Sequence, residues 1–385
     1  MWDDRVDFDE EIKMKKGLFI LLLGQLAFCN VKNIPNFEEM IAEYIRKNNT
    51  PAIAVAVIKS GELIDISADG TRDIEKNLPA ELNTPFHIAS VSKTVTSLAI
   101  FLLVESGKLD LQKDINGYLA FQITNPHHPT DTITIHQLLN HHSGIIDDYH
   151  GVYLPFWVKP KGDNTILLKI FLSEYLVKGG SYYSEKNFKR GKNFKKFNYS
   201  NTGYALLGLI IEQVSGMSFS EYSKANIFDP LGLKNTGWFL SDFNESDVAK
   251  TYSDEVKLYF FFNGYKFHGH NGYPDYPAGQ LRTSIQDYST LIFGYLNADS
   301  QQYILKTETL NKITPIARKK DGVSHTWFIE SIDGREYYSH DGSDVGASAK
   351  VLINVKNKSA LIIFVNSENF PFGLHNQIIK TIFKN

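Results

Sequence analysis

The sequence predicts an α/β protein of the α+β kind: one antiparallel sheet drawn from both chain ends, flanked by helices, with a helical lobe inserted in the middle. Three observations carry this expectation. Short Val- and Ile-rich runs bounded by Gly, Asn and Asp lie near both ends of the 385-residue chain. Between them stand segments that are apolar on every side, the mark of buried helices. No repeat or low-complexity linker divides the chain, so residues 30–385 read as a single composite domain, with a sheet lobe over about 36–89 and 320–385 and a helical lobe over about 90–319.

The elements follow in order. Phe37, Met40, Ile41, Tyr44 and Ile45 recur at helical spacing, with Asn36 as the expected N-cap and Glu39 reaching back in a capping box. After Asn49-Thr50-Pro51, the runs Ala52–Ile58 and Glu62–Ala68 form a hairpin through Gly61. Ser90–Glu105 is apolar nearly all round and stops at Gly107; Ala205–Val214 is similar and stops at Gly216. Ser284 with Asp287 caps a helix running through Tyr295. Thr326–Ser331, Glu336–Ser339, Ser348–Val355 and Ser359–Val365 read as four strands, with turns at Asp333-Gly334 and Asn357-Lys358. A helix over Leu374–Phe383 closes the chain.

The first 29 residues read as an acidic leader plus a signal peptide. Met14-Lys15-Lys16 precedes the apolar run from Gly17 to Cys29, which is short for a membrane span and typical of export. The six acids before it are wrong for a basic leader, so Met14 reads as the true start. Cys29 has two readings: the site of a lipid anchor, with Phe28 departing from the small residue expected there, or a residue that leaves with the signal after an Ala27-x-Cys29 cut. Either way the chain is expected in the bacterial periplasm or cell envelope, touching membrane only through that anchor.

Composition narrows the function. Forty basic and 43 acidic residues give a net charge of −3, which offers no footprint for a nucleic-acid partner. The single cysteine excludes an intrachain disulfide and Cys-based zinc cages. Six of the twelve histidines fall at His127, His128, His136, His141, His142 and His150, but no H-E-x-x-H pattern occurs, and no metal or cofactor is expected.

Chemistry enters at Ser90-Val91-Ser92-Lys93. Serine three residues before lysine at a helix start puts both side chains on one face, where a lysine made less basic by burial can activate the hydroxyl. Ser92, beside Lys93, points to another face of the helix. Tyr199-Ser200-Asn201 precedes the second apolar helix, and His340-Asp341-Gly342, followed by Ser343, falls between the predicted strands.

With these motifs the chain resembles the serine β-lactamase and penicillin-binding-protein superfamily. It is most similar to the class C β-lactamase-related branch, which holds D-alanyl-D-alanine carboxypeptidases, D-aminopeptidases and carboxylesterases. Pro85–Ala89, Thr134–Gly144, Pro230–Leu233 and Pro277–Leu281 follow in that family's order. The resemblance implies that Ser90 is acylated and that Lys93 and Tyr199 share base and acid duty. Asn201 would hold the acyl-side amide of the substrate. The backbone N–H groups of Ser90 and Ser343 would form an oxyanion hole, with Gly342 beside them. His340 would line the pocket, moving protons or, when protonated, binding a substrate carboxylate.

It implies a hydrolase of small molecules or peptides, foremost D-amino-acid-containing peptides in the manner of a D-alanyl-D-alanine carboxypeptidase, with weak β-lactamase activity. A carboxylesterase, a penicillin-binding sensor with little turnover, and a silent envelope scaffold stay open as alternatives. Two departures stand out: His340 occupies a position where β-lactamases usually carry lysine, and Gln280 replaces a common glycine. The basic run Lys186–Lys196 reads as a solvated loop or as a rim that draws anionic substrates. The aromatic stretch Tyr252–Tyr276 reads as lobe packing or as a substrate shelf.

Overall fold

The two ends of the chain meet in one eight-stranded antiparallel sheet. The computed structural model describes residues 34–382 apart from 149, 153–157, 160, 255–264, 268, 301–302 and 316–322. The signal-peptide and Cys29 readings therefore lie outside the described residues. Helix α1 (Phe37–Asn48) is followed by β1 (Ala52–Lys59), β2 (Glu62–Asp73) and the two-residue strands β3 (Leu78–Pro79) and β4 (Phe86–His87). Helices α2 (Ser92–Glu105), α3 (Leu168–Leu176) and α4 (Asn201–Ser215) come next. Short strands β5 (Thr236–Gly237), β6 (Tyr252–Asp254), β7 (Tyr265–Phe267) and β8 (Arg282–Thr283) lead to α5 (Ile285–Asn297). The chain closes with β9 (Val323–Ser324), β10 (Trp327–Ile332), β11 (Arg335–Asp344), β12 (Ala347–Asn354), β13 (Ser359–Val365) and α6 (Phe372–Ile382).

The main sheet runs β3-β2-β1-β13-β12-β11-β10-β9. Its centre is buried on both faces, which is why β1 and β13 read as unbroken apolar runs rather than alternating ones. Ala52, Ala54, Ala56 and Ile58 face the larger core with the helical lobe. Ile53, Val55 and Val57 face a second core capped by Phe37 and Ile41 of α1 and by Leu374 and Ile378 of α6. The β1–β2 hairpin turns on Ser60 and Gly61, both at positive φ (54° and 80°), a conformation matched to a two-residue turn.

Three sequence expectations need correction or extension. Asn36 does not cap α1 with its side chain: its backbone is left-handed (φ 60°), whereas capping needs an extended residue, and its carbonyl instead accepts from Met40 N–H. His340-Asp341-Gly342 lies inside β11 rather than between strands, because pairing with β12 continues unbroken from Tyr338–Ile353 to Asp344–Ala347. A small sheet, β4-β8-β5, is too short for any alternation to show in sequence, yet it matters most for the site. Pairing of His87 with Arg282 fixes the segment just before Ser90 against the one just after Pro277–Leu281. By contrast, Ser284 caps α5 through Asp287 N–H as expected, and α5 packs on β1 and β13.

Candidate active site

Ser90 sits in a single 3₁₀ turn, Ala89–Val91, that leads directly into α2. The preceding Ala89 holds a left-handed backbone (φ 46°), a strained conformation for a residue with a Cβ. Lys93 follows one turn later on a helix whose residues 92–101 are all buried, so the ammonium is fully removed from solvent. Its Nζ lies 3.2 Å from Ser90 Oγ, 2.6 Å from Asn201 Oδ1 and 2.5 Å from the Ala278 carbonyl. Burial lowers its pKa to about 7, against the opposing pull of Asp275, Asp147 and Asp344.

That trio of partners suits both protonation states. A charged Lys93 donates to all three oxygens. A neutral one donates to Asn201 and Ala278, neither of which can donate through the oxygen it offers, and leaves its lone pair for the Ser90 hydroxyl proton. The Tyr199 ring lies 4.8 Å from Nζ, and Tyr199 borders the same cavity as Ser90. Desolvation pushes the Tyr199 phenol well above its usual range, so it stays protonated. The other face of Tyr199 stacks on His141 at 4.3 Å. Burial keeps His141 neutral, with Nδ1 accepting from Ser200 N–H.

Asn201 starts α4, and its position is fixed by a residue that sequence reasoning missed. Asp147 accepts from Asn201 N–H (2.5 Å), Thr202 N–H (3.1 Å), Thr202 Oγ1 (2.6 Å) and Ser200 Oγ (2.9 Å). A carboxylate at a helix start meets unpaired N–H groups there. Burial nonetheless raises its pKa, those hydrogen bonds opposing the shift. Ser92 turns away from the site, bonding the Ala89 carbonyl (2.5 Å) and accepting from Leu281 N–H (3.0 Å).

Strand β11 closes the opposite wall. Gly342 packs so tightly on the turn before Ser90 that only glycine fits, and Ser343 then lines the same cavity as Ser90. The cavity measures about 240 Å³ and is bounded also by Tyr199, Asn201, Tyr273, Asp275, Gly279 and Asp344. Gln280 makes its own use of the position where a glycine is common. Fully buried, it accepts from Tyr273 N–H (2.6 Å) and donates to the Trp238 carbonyl (2.8 Å), holding Tyr273 at the cavity. Asp344 accepts from Tyr273 OH (3.0 Å) and Val345 N–H, and pairs with His87 Nε2 at 3.0 Å; the His87 contact leads in holding its carboxyl below the usual range against burial.

His340 departs from expectation. It is 1% exposed, does not reach the cavity, and packs edge-on against Phe328. Burial first, and nearby Lys93 second, drive its pKa down to about 3. A neutral, covered imidazole whose Nδ1 donates to the Asp341 carbonyl cannot bind a substrate carboxylate. None of the six bases between Lys186 and Lys196 lines the cavity either. Of the aromatic stretch, Tyr273 faces the cavity while Tyr276 packs against Trp238 in the lobe; Phe260, Phe261 and Phe262 lie outside the described residues. The clustered histidines divide among unrelated contacts: His127 meets the Glu185 carbonyl, His128 stacks on Phe194, and His136 meets His325. Among the described residues no three His, Cys, Asp or Glu side chains are grouped to hold a metal.

Comparison with known proteins agrees with this architecture. A family model described as Beta-lactamase matches residues 37–380. Penicillin-binding protein 4* of Bacillus subtilis (strain 168) is 32% identical over 206 residues, covering 53% of this chain and 41% of its own length. Protein flp of Staphylococcus aureus (strain N315) is 25% identical over 348 residues, covering 87% of this chain and 64% of its own length. The chain thus spans less than two thirds of these curated relatives. FmtA from Staphylococcus aureus superposes with a TM-score of 0.70 at 23% identity, over 92% of this chain and 88% of that one. D-amino acid amidase from Ochrobactrum anthropi SV3, complexed with L-phenylalanine amide, superposes with a TM-score of 0.68 at 19% identity, over 90% and 97%. Both structures share the fold expected from the sequence: an antiparallel sheet flanked by helices.

Proposed function

The chain belongs to the Beta-lactamase family, and from that premise we propose that it is a serine hydrolase that forms an acyl-enzyme on Ser90 and acts on amides or peptides of D-amino acids. The observation that supports this most is the grouping at Ser90: its Oγ lies 3.2 Å from Lys93 Nζ, and the Tyr199 ring lies 4.8 Å from the same nitrogen on the wall of the same cavity. Neutral Lys93 takes the Ser90 proton as the oxygen attacks a carbonyl carbon. Ser90 and Ser343 offer backbone N–H groups to the carbonyl oxygen as it gains charge. Tyr199, held as a phenol, returns a proton to the leaving nitrogen, replenished from Lys93. Water then attacks the ester with the same base.

The amide and D-amino-acid reading draws on His340-Asp341-Gly342, where β-lactamases usually carry lysine in place of His340. The carboxypeptidase form of it loses the argument that a protonated His340 would grip a terminal carboxylate. A fluorophosphonate probe followed by peptide mass mapping tests the core of the proposal, with label expected on Ser90 alone. Steady turnover of a p-nitrophenyl ester, rather than one stoichiometric burst, separates a hydrolase from a penicillin-binding sensor. Label on Ser92, or none, would overturn it.

A further inference from the structure

Tyr199 stands just ahead of α4, outside any helix or strand, and keeps 36% of its surface exposed. A tyrosine so placed is free to turn out of the cavity unless something fixes its ring. Its chain neighbours on both sides donate to one residue. Asn198 N–H donates to the His141 carbonyl (2.7 Å), and Ser200 N–H donates to His141 Nδ1 (3.1 Å). The imidazole also lies against the Tyr199 ring at 4.3 Å, with 27° between the planes. Carbonyl, ring nitrogen and ring face of His141 therefore all engage residues 198–200.

His141 is itself held firmly. It follows the short helix Ile135–Leu139, donates its N–H to the Leu138 carbonyl (3.1 Å) and is 1% exposed. Tyr204 of α4 lies 5.1 Å from its ring and donates its hydroxyl to the Leu139 carbonyl (2.9 Å). The His141 backbone is left-handed (φ 58°), a costly conformation for a residue with a Cβ, and in it the carbonyl and the ring reach the same segment. We propose that His141 is the positioning residue for Tyr199, clamping the chain on either side of it and backing its ring so that the phenol stays beside Lys93 and Ser90. This rests on the reading of Ser90 as nucleophile and Tyr199 as its acid, and adds the residue that keeps the acid in place.

Two variants take the clamp apart. His141→Asn keeps a short acceptor and tolerates a left-handed backbone, but removes the stacked ring. His141→Leu removes ring and acceptor together. With D-phenylalanine amide, whose nitrogen leaves only when protonated, kcat should fall on the order of 10²-fold in the leucine variant, the scale set by a misplaced catalytic group, with KM little changed. The asparagine variant should lose less, and a p-nitrophenyl ester, whose phenolate leaves unaided, should be slowed far less by either. In a Tyr199→Phe background neither substitution should lower the rate further, because His141 acts through that ring. Equal slowing of amide and ester, or losses that persist in full without the Tyr199 hydroxyl, would reduce His141 to a support of the fold and overturn the proposal. A crystal structure of His141→Asn judges the clamp apart from any turnover: the Tyr199 ring should leave Lys93, and a ring still 4.8 Å from Nζ would overturn it even if the leucine variant does not fold. Failure of the fluorophosphonate to label Ser90 in the unmodified protein would instead remove the hydrolase reading and leave that structure to decide the clamp.

Discussion

Gly342 and Ile88 meet backbone to backbone: a Cβ built on Gly342 would stand 2.3 Å from the Ile88 carbonyl oxygen. Ile88 lies two residues before Ser90, so this contact sets strand β11, and with it Ser343, against the turn that presents the nucleophile.

Gly342→Ala is therefore expected to push β11 off that turn. Overpacking of this kind costs about 1–3 kcal/mol. Thermal unfolding should show the lower stability, and fluorophosphonate labelling of Ser90 should slow at the same time. A variant with unchanged melting and unchanged labelling would show that the two segments are free to part.

Ser90→Ala and Ser92→Ala should separate chemistry from structure. The first should abolish labelling with little change in stability, since Ser90 makes no cap bond to α2. The second should retain labelling but cost about 1–3 kcal/mol, because the buried Leu281 N–H loses its acceptor. Denaturant titration beside the labelling assay reads both.

The pH profile should report Lys93. Its pKa is lowered to about 7, so the neutral base is present above that value and lost as pH falls through it. Hydrolysis of an uncharged ester should accordingly decline on acidification through about pH 7. Asp275, raised to about 7 mainly by burial, titrates in the same range, so the midpoint belongs to the pair. Asp275→Asn removes a negative charge that supports protonated Lys93, and the midpoint should move to lower pH. His340, at about 3, should add no inflection between pH 5 and 8. A midpoint that stays put in Asp275→Asn would mean the two groups do not sense each other.

Asp147→Ala should destabilise the protein more than Asp147→Asn. Alanine leaves the Asn201 and Thr202 N–H groups without their acceptor, a loss of about 1–3 kcal/mol or more. Asparagine keeps one oxygen for them. Unfolding curves of the two variants check the order, and a weaker grip of Asn201 on Lys93 should appear as a lower kcat.

Ser90 and Lys93 are legible from sequence because a three-residue step on a helix is local geometry. Tyr199 and Asn201 are legible because they flank the start of an all-apolar helix. Asp147, Asp275 and Asp344 are not. They come from loops and a strand end with no period, and are gathered by two-residue strands, a helix cap and one glutamine side chain. His340 shows the opposite failure: its position in the motif suggests a titrating wall, but burial beside Lys93 silences it. The long strands were plain from their apolar runs, whereas the course of β11 through Asp341 and Gly342 was hidden by two residues that usually break strands.

The pairing of β1 with β13 also shapes how the molecule can be made. Ile53 opposes Val365 across roughly 310 residues of intervening chain. During synthesis, β1 and β2 leave the ribosome early, and one apolar edge of β1 waits without a hydrogen-bonding neighbour until β13 is available. Because β13 joins β3-β2-β1 to β12-β11-β10-β9, it is a keystone rather than a margin. A nascent chain stalled before Ser359 holds two unjoined half-sheets with exposed edges, a natural target for holding chaperones and for aggregation.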